Sequence, residues 1–421
     1  MVSYTRALRH PSFRYLFLGQ AASAIGDGVV IVAIALYVTQ TTRSASALGV
    51  VLCAQTLPMV ALLLFGGVWA DRLPRHRIMI VTDAVRAAAH AALAVIILSG
   101  RASVVELASI EAVYGSARAF FQPAYSGLIP QTVPEELIGD ARALTEWMNN
   151  LALLIGPAFA TALVLGVGAG EAFAFDAATF VASALLLARV HPRARGVSAP
   201  TSSLLRELLD GWREVRSRSW VWVTIAVFTG SVMCLYAQWY ALAPGIARRV
   251  YGSAGVFGVI ESVIGAGAVC GALASVRWRP AHPLATGLAM TLMWPAQALA
   301  FALGAPLVIV IVCAFGTGFA FSLMMIWWET ALAQHIPPQL LSRVSAYDWM
   351  GSLALLPLGY VLAGPLAAAF GARGVLEAGS AIGVVLLALA LAPRSTRELR
   401  ARPAAPTAPP RAQGAALERA S

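Results

Sequence analysis

Apolar residues in this chain come in long, nearly unbroken stretches, and polar residues collect between them. Such runs lie at 13–39, 46–67, 78–98, 103–123, 141–166 and 170–190, and again at 220–242, 254–276, 283–302, 306–328, 343–368 and 374–392. Each is close to the ~20 residues that carry an α-helix across the hydrocarbon core of a bilayer, so the pattern predicts an all-α integral membrane protein with twelve crossings in two groups of six. The gap from His191 to Ser219 begins with a loose stretch, HPRARGVSAPTSS. C-terminal to that stretch, Leu204, Leu205, Leu208, Leu209, Trp212 and Val215 recur at helical spacing with Arg206, Asp210, Arg213 and Arg216 between them. That alternation predicts an amphipathic helix lying on the membrane surface. After Pro393 the chain is mostly Ala, Pro and Arg, too poor in large apolar residues to pack, which predicts a disordered tail. The expected organisation is a six-helix bundle over 1–190, a cytoplasmic linker over 191–219, a second bundle over 220–392 and a cytoplasmic tail over 393–421.

Composition agrees with a membrane solvent and excludes a soluble enzyme. Of 421 residues 59% are hydrophobic and 12% charged, against 45–50% and ~25% in soluble domains. The net charge of +10 comes from 30 basic residues, all of them Arg. They sit between the apolar runs and not on one polar domain, which points to membrane topology and away from nucleic acid. With the N-terminus inside, only Arg43, Arg101, Arg248, Arg249 and Arg373 fall on the outer side. The excess of Arg on retained segments therefore places both termini and the linker in the cytoplasm. Cys53, Cys234, Cys270 and Cys313 lie far apart in apolar runs and suggest neither a disulfide nor a metal site. No nucleotide-binding loop or nucleophile elbow is present, so no enzyme activity, cofactor or metal is expected.

The two halves repeat. Residues 146–154, EWMNNLALL, and 348–356, DWMGSLALL, share six of nine positions at an offset of 202, with Glu146 answered by Asp348. Six crossings separate them, so both enter the membrane from the same side, the parallel repeat of two six-helix halves.

Between the second and third runs the chain reads GGVWADRLPRHRI from Gly66. This resembles the signature loop of the major facilitator superfamily, with Gly67, Asp71, Arg72, Arg75 and Arg77 in register and Pro74 where glycine is commoner. SAIGDGVVIVAIALYVTQTT, FFQPAYSGLIPQTVPEELI, IGPAFATAL and FAFDAATF extend the likeness to the branch of enterobactin exporters and macrolide efflux proteins, the transmembrane secretion effectors. The resemblance implies the major facilitator fold of two pseudo-symmetric bundles, a central cavity lined by the first, fourth, seventh and tenth spans, and action as a monomer. It also implies a cytoplasmic latch. Two departures weaken an antiporter signature: Gly156-Pro157 in the fifth span is followed by Ala160-Thr161-Ala162, and Glu111 stands four residues before Gly115 where drug carriers often place Arg.

Ionisable groups at membrane depth are functional candidates by default. Asp27 and Glu111 reach the middle or outer half of the first and fourth spans and are the first candidates for proton coupling or for binding a cationic substrate, followed by Glu261 and Asp176. Asp27, between Gly26 and Gly28, equally suits a structural role bracing the backbone, and Asp176 on a peripheral span suits one better still. Asp83, Arg86, Arg118, Arg142, Glu146, Glu329, Arg343 and Asp348 lie nearer the cytoplasmic ends and are expected, with the loop residues, to form an ion-pair network closing the inner gate. Asp83 and Arg86 share a helix face at i,i+3. Tyr236, Trp239, Tyr240, Trp327 and Trp328 are cavity candidates for a bulky amphiphile, though aromatic residues near span ends also serve as interface anchors.

Together these features predict a secondary carrier of the bacterial cytoplasmic membrane that expels a bulky hydrophobic or amphiphilic compound, such as a drug, antibiotic or siderophore, in exchange for protons by alternating access. An uncoupled facilitator or importer, or a non-transporting scaffold or sensor acting through linker and tail, are the alternatives.

Overall fold

A computed structural model describes residues 4–193 and 204–400, and within its helices the side chains of some residues, Gly67 and Asp71 among them, also lie outside the description. The loose part of the expected linker and the end of the expected tail therefore fall outside the described residues. Among the latter every regular element is helical.

All twelve apolar runs are helices. The first six are α1 (Pro11–Thr42), α2 (Ala45–Arg72), α3 (Arg75–Leu98), α4 (Val104–Thr132), α5 (Ile138–Gly166) and α6 (Ala169–Leu187). After α7 (Leu204–Ser217), the seventh run is α8 (Ser219–Ser231) continued by a π turn into α9 (Ala237–Val250). The rest are α10 (Gly255–Ser275), the broken pair α11 (Pro283–Met290) and α12 (Met293–Ala302), α13 (Leu307–His335), the pair α14 (Pro338–Leu353) and α15 (Leu356–Phe370), and α16 (Ala372–Ala390). A single turn, α17 (Arg394–Arg397), follows. Among the described residues ten spans are long and apolar enough to cross a membrane. α4 carries Glu106, Glu111 and Arg118 within its apolar run.

Turns at helix ends follow local chemistry. Ser103 and Glu106 form a reciprocal capping box that opens α4. The tight α5–α6 and α15–α16 turns each use a glycine at positive φ, Gly168 at 128° and Gly371 at 76°, a conformation closed to most side chains. These turns occupy corresponding places in the two halves.

α1 packs on α5 and α6, α2 on α4, and α3 on α4 and α6; in the second half α10 packs on α13, and α12 on α13 and α16. The halves meet along α5–α10 and α2–α15. Their apolar cores show which end is closed. At the end away from the arginine-rich loops one continuous core joins Val29 to Val38 of α1, Leu48 and Leu52 of α2, Phe257 of α10 and Tyr360 of α15. At the arginine-rich end there are two separate cores, one around Phe13, Met79 and Leu128, the other around Trp220, Met324 and Val344. The molecule is therefore open between the halves at its arginine-rich end and sealed at the other.

Candidate functional site

Behind the shared core lies a cavity of about 560 Å³ between the halves. Its first wall carries Asp27 and Gly28 of α1, Gln55 of α2, Arg118 of α4 and Asn149 of α5; its second carries Tyr236, Trp239 and Tyr240, Glu261 of α10 and Gln297 of α12. The first wall sets Asp27 and Arg118 among apolar residues such as Val30 and Ile31, and the second sets Glu261 among aromatic rings, a mixture that suits a ligand with both characters.

The aromatic wall is built on the π turn Val232–Tyr236, the kind of local widening often found at functional positions. Directly after it, Trp239 Nε1 donates to Glu261 Oε1 at 2.7 Å and Tyr240 Oη donates to Glu261 Oε2 at 2.6 Å. Both carboxylate oxygens are thus held, and the rings of Tyr236 and Tyr240 stand 4.6 Å apart beside them.

On the first wall, Asp27 sits where α1 approaches its neighbours most closely. A Cβ on Gly28 would come within 2.9 Å of the Gly156 Cα, which explains why Gly156-Pro157 faces Gly28. Asp27 accepts from Tyr114 Oη at 2.6 Å and lies 3.5 Å from Arg86 Nη1. Arg86 is itself buried, bonded to Asp83 and held between the rings of Phe121 and Phe180 at 4.0 and 4.2 Å. Asp83 accepts further from Ser183, whose Oγ also receives the Gln20 amide. Behind this lies a second buried group. His90 Nδ1 is bonded to Asp176, its Nε2 faces Glu111 Oε1 at 3.9 Å, and Gln55 Nε2 donates to Glu111 Oε2 at 2.8 Å.

Several sequence expectations are placed differently. Asp83 and Arg86, grouped with the inner gate from their nearness to the α3 start, belong to the buried cluster around Asp27, because their face of α3 turns to α1 and α6 and not to the second half. Arg118 lies in the cavity wall. Asp176, by contrast, is fully buried against His90, in keeping with the structural role its span suggests. Trp327 and Trp328 are absent from the cavity wall: Trp327 packs on Trp278, and Trp328 packs on Trp220 and donates to Asp348 at 2.8 Å. Arg142, Glu146 and Glu329 are exposed, as the open end requires. Arg75 donates to the Gly127 carbonyl at 2.6 Å within its own half, Arg72 and Arg77 are exposed, and Arg343 lies 3.5 Å from Asp210 of α7. The Gly67 and Asp71 side chains lie outside the described residues.

Sequence reasoning misses His90, Gln55 and Tyr114. For His90 the one signal is a lone ionisable ring inside the apolar stretch RAAAHAALA.

Comparison with known proteins places this architecture among transporters. The family described as transmembrane secretion effector matches residues 2–416. The multidrug efflux pump Tap of Mycolicibacterium fortuitum is 30% identical over 384 residues, covering 87% of this chain and 91% of that protein. Macrolide efflux protein A of Streptococcus pyogenes is 26% identical over 57% of this chain and 59% of its own length. Among solved structures, a bacterial homologue of the human lysosomal transporter Spinster superposes with a TM-score of 0.69 at 17% identity, over 96% of this chain and 100% of that one. The nucleoside transporter NupG does so at 0.72 and 12% identity, over 90% and 98%.

Proposed function

The chain belongs to the transmembrane secretion effector family of the major facilitator superfamily, and from that premise we propose that it exports a bulky apolar or amphiphilic small molecule from the bacterial cytoplasm in exchange for protons. The observation that carries this is the cavity itself. It lies between two helical halves, is lined mainly by apolar and aromatic side chains with a few charges, Asp27, Arg118 and Glu261, among them, and is reached from one end only. The excess of arginine at the open end supports a cytoplasmic placing of that end; on this reading a substrate enters from inside and leaves when the halves rock to open the other end.

Efflux is also what the names of the relatives describe. Asp27, Glu111, Glu261 and Asp176 are acids at membrane depth, and an exchange of protons needs groups of this kind in reach of the cavity. Asp27 and Glu261 are in its wall, and Glu111 is one hydrogen bond behind it, through Gln55. Glu146 and Glu329 already lie within electrostatic range of one another across the mouth; the exposed Arg142 and the loop arginines would close on such acids in the opposite, outward-open state. The carrier acts as a monomer.

The test is ethidium movement in proteoliposomes of the full chain under an imposed pH gradient. Gradient-driven accumulation that collapses on adding nigericin is the expected result. Equal flux with and without the gradient would establish an uncoupled facilitator. A chain truncated after Pro393 that keeps its flux would exclude a scaffold working through the tail.

A further inference from the structure

The most unusual chemistry in the molecule lies outside the cavity. His90 is wholly buried, and so are the two acids on either side of it, Asp176 and Glu111. Four helices bring charged or titratable groups to this point: Asp27 from α1, Glu111, Tyr114 and Arg118 from α4, Asp176 from α6, and Asp83 and Arg86 from α3 itself; α2 brings the neutral amide of Gln55. The His90 ring stacks on Tyr114 with centroids 4.2 Å apart, which fixes its plane.

Besides Arg86 Nε, two buried polar atoms in this group have no hydrogen-bond partner, His90 Nε2 and Glu111 Oε1, and these two face each other at 3.9 Å. Such orphans are rare because each carries a desolvation penalty. Their chemistry explains the gap. When the ring's proton is on Nδ1 towards Asp176, Nε2 presents a lone pair to a carboxylate oxygen, and two acceptors do not close. One added proton, on Nε2 or on Oε1, turns them into a donor and an acceptor. The charge count runs the same way: two ionised acids around a neutral ring carry −2 in a low-dielectric interior, and each proton taken up lowers that burden.

We propose that Asp176, His90 and Glu111 form the proton-binding site of the carrier, set behind the cavity wall and joined to it by Gln55. This rests on the proton-exchange function proposed above and replaces Asp27 as its centre, since Asp27 is already held by Arg86 and Tyr114. The proton arrives from water in the cavity, forms an N–H or O–H bond at the His90–Glu111 gap, and returns to water on the other side of the membrane after the halves rock. No other bond changes. Gln55 stands at the boundary: its side chain lines the cavity and donates to Glu111. A ligand that draws the amide away removes a donor from the carboxylate and alters how tightly Glu111 holds a proton.

The experiment uses the full chain in proteoliposomes with ethidium as the probe and a gradient of about two pH units. Exchange of one proton per ethidium then permits accumulation of about a hundredfold. In His90→Gln and in Glu111→Gln the ratio is expected to fall to about one. Driven accumulation in either variant close to the wild-type value would overturn the proposal, as would a wild type driven by sodium and not by protons. Where His90→Gln fails to give a monodisperse protein, Glu111→Gln decides, because its amide keeps the contact with Gln55 but binds no proton. A wild type with no gradient-driven ethidium movement would defeat the proton-exchange reading while the site is judged separately, by infrared difference spectra of the purified chain from about pH 8.5 to about pH 5.5, which span the ordinary range of histidine. A band that rises on acidification is the expected outcome, either a carboxylic acid band missing in Glu111→Gln or an imidazolium band missing in His90→Gln; the absence of both from the wild type would overturn the site.

Discussion

Arg86 shows how much a single side chain can organise. Its guanidinium answers Asp83 and Asp27 and lies between two aromatic faces, so it joins α1, α3, α4 and α6 in one contact set. Removing one partner of a buried ion pair costs about 3–5 kcal/mol, because the other charge is left uncompensated. Arg86→Gln is therefore expected to lower thermal stability in detergent by that order. Arg86→Lys should recover only part of it, since an ammonium restores charge but not the flat stacking between Phe121 and Phe180; equal melting temperatures for the two variants would refute this. On the opposite wall, Glu261 takes a donor on each oxygen, and Glu261→Gln turns one of these into a donor facing a donor. Its affinity for ethidium should fall by about tenfold, the equivalent of ~1.4 kcal/mol, in an equilibrium titration of Trp fluorescence. The sequence shows Asp27, Glu111, Asp176 and Glu261 as acids at membrane depth. It does not show their partners, because His90, Gln55 and Tyr114 come from other helices and carry no pattern of their own. Asp83 and Arg86 are legible as a pair, but depth along one helix does not say which way the pair faces.

At the scale of helices, glycines do different work within a half and between halves. A Cβ on Gly115 would run into the Gln55 carbonyl on α2, inside the first half, whereas one on Gly364 would run into Ser46, across the seam between α15 and α2. Gly115→Val is expected to reduce the yield of folded protein, because α2 and α4 stay packed in every state. Gly364→Val should leave the protein folded and shift it away from the state sealed at this end, seen as faster labelling of a cysteine placed at Ser46; equal loss of folded protein in both would contradict the distinction. Helix number and the sixfold division are readable from the runs of apolar residues, and the EWMNNLALL and DWMGSLALL repeat falls on α5 and on α14 and its junction with α15. What the runs hide are the interruptions, the π turn before Trp239 and the breaks after Met290 and Leu353. These depend on packing against neighbours and leave hydropathy unchanged.

For the molecule as a whole, one shared core at one end and two separate cores at the other describe a single stage of a cycle. The loop and span-end charges that the sequence suggests as a closed inner gate are then half of a contact that belongs to the other stage. This explains why Arg142, Glu146 and Glu329 are exposed while the seam of Ser46 and Gly364 is in backbone contact. Trp147 of α5 and Trp349 of α14 are equivalent positions of the repeat in the arginine-rich half of each bundle, 58% and 57% exposed, so spin labels there, on a chain freed of its four native cysteines, report the separation of the two halves at that end. If the halves rock as bodies, a cross-link between cysteines at Ser46 and Gly364 holds the far end shut and must also hold the mouth open. The expected result is one long label distance that neither acidification nor ethidium alters, with transport lost until a reductant cuts the link. In the uncross-linked chain, acidification should add a shorter distance. A mouth that still narrows with the far end locked would mean that the two ends move independently, and that local gates rather than rigid halves carry the cycle.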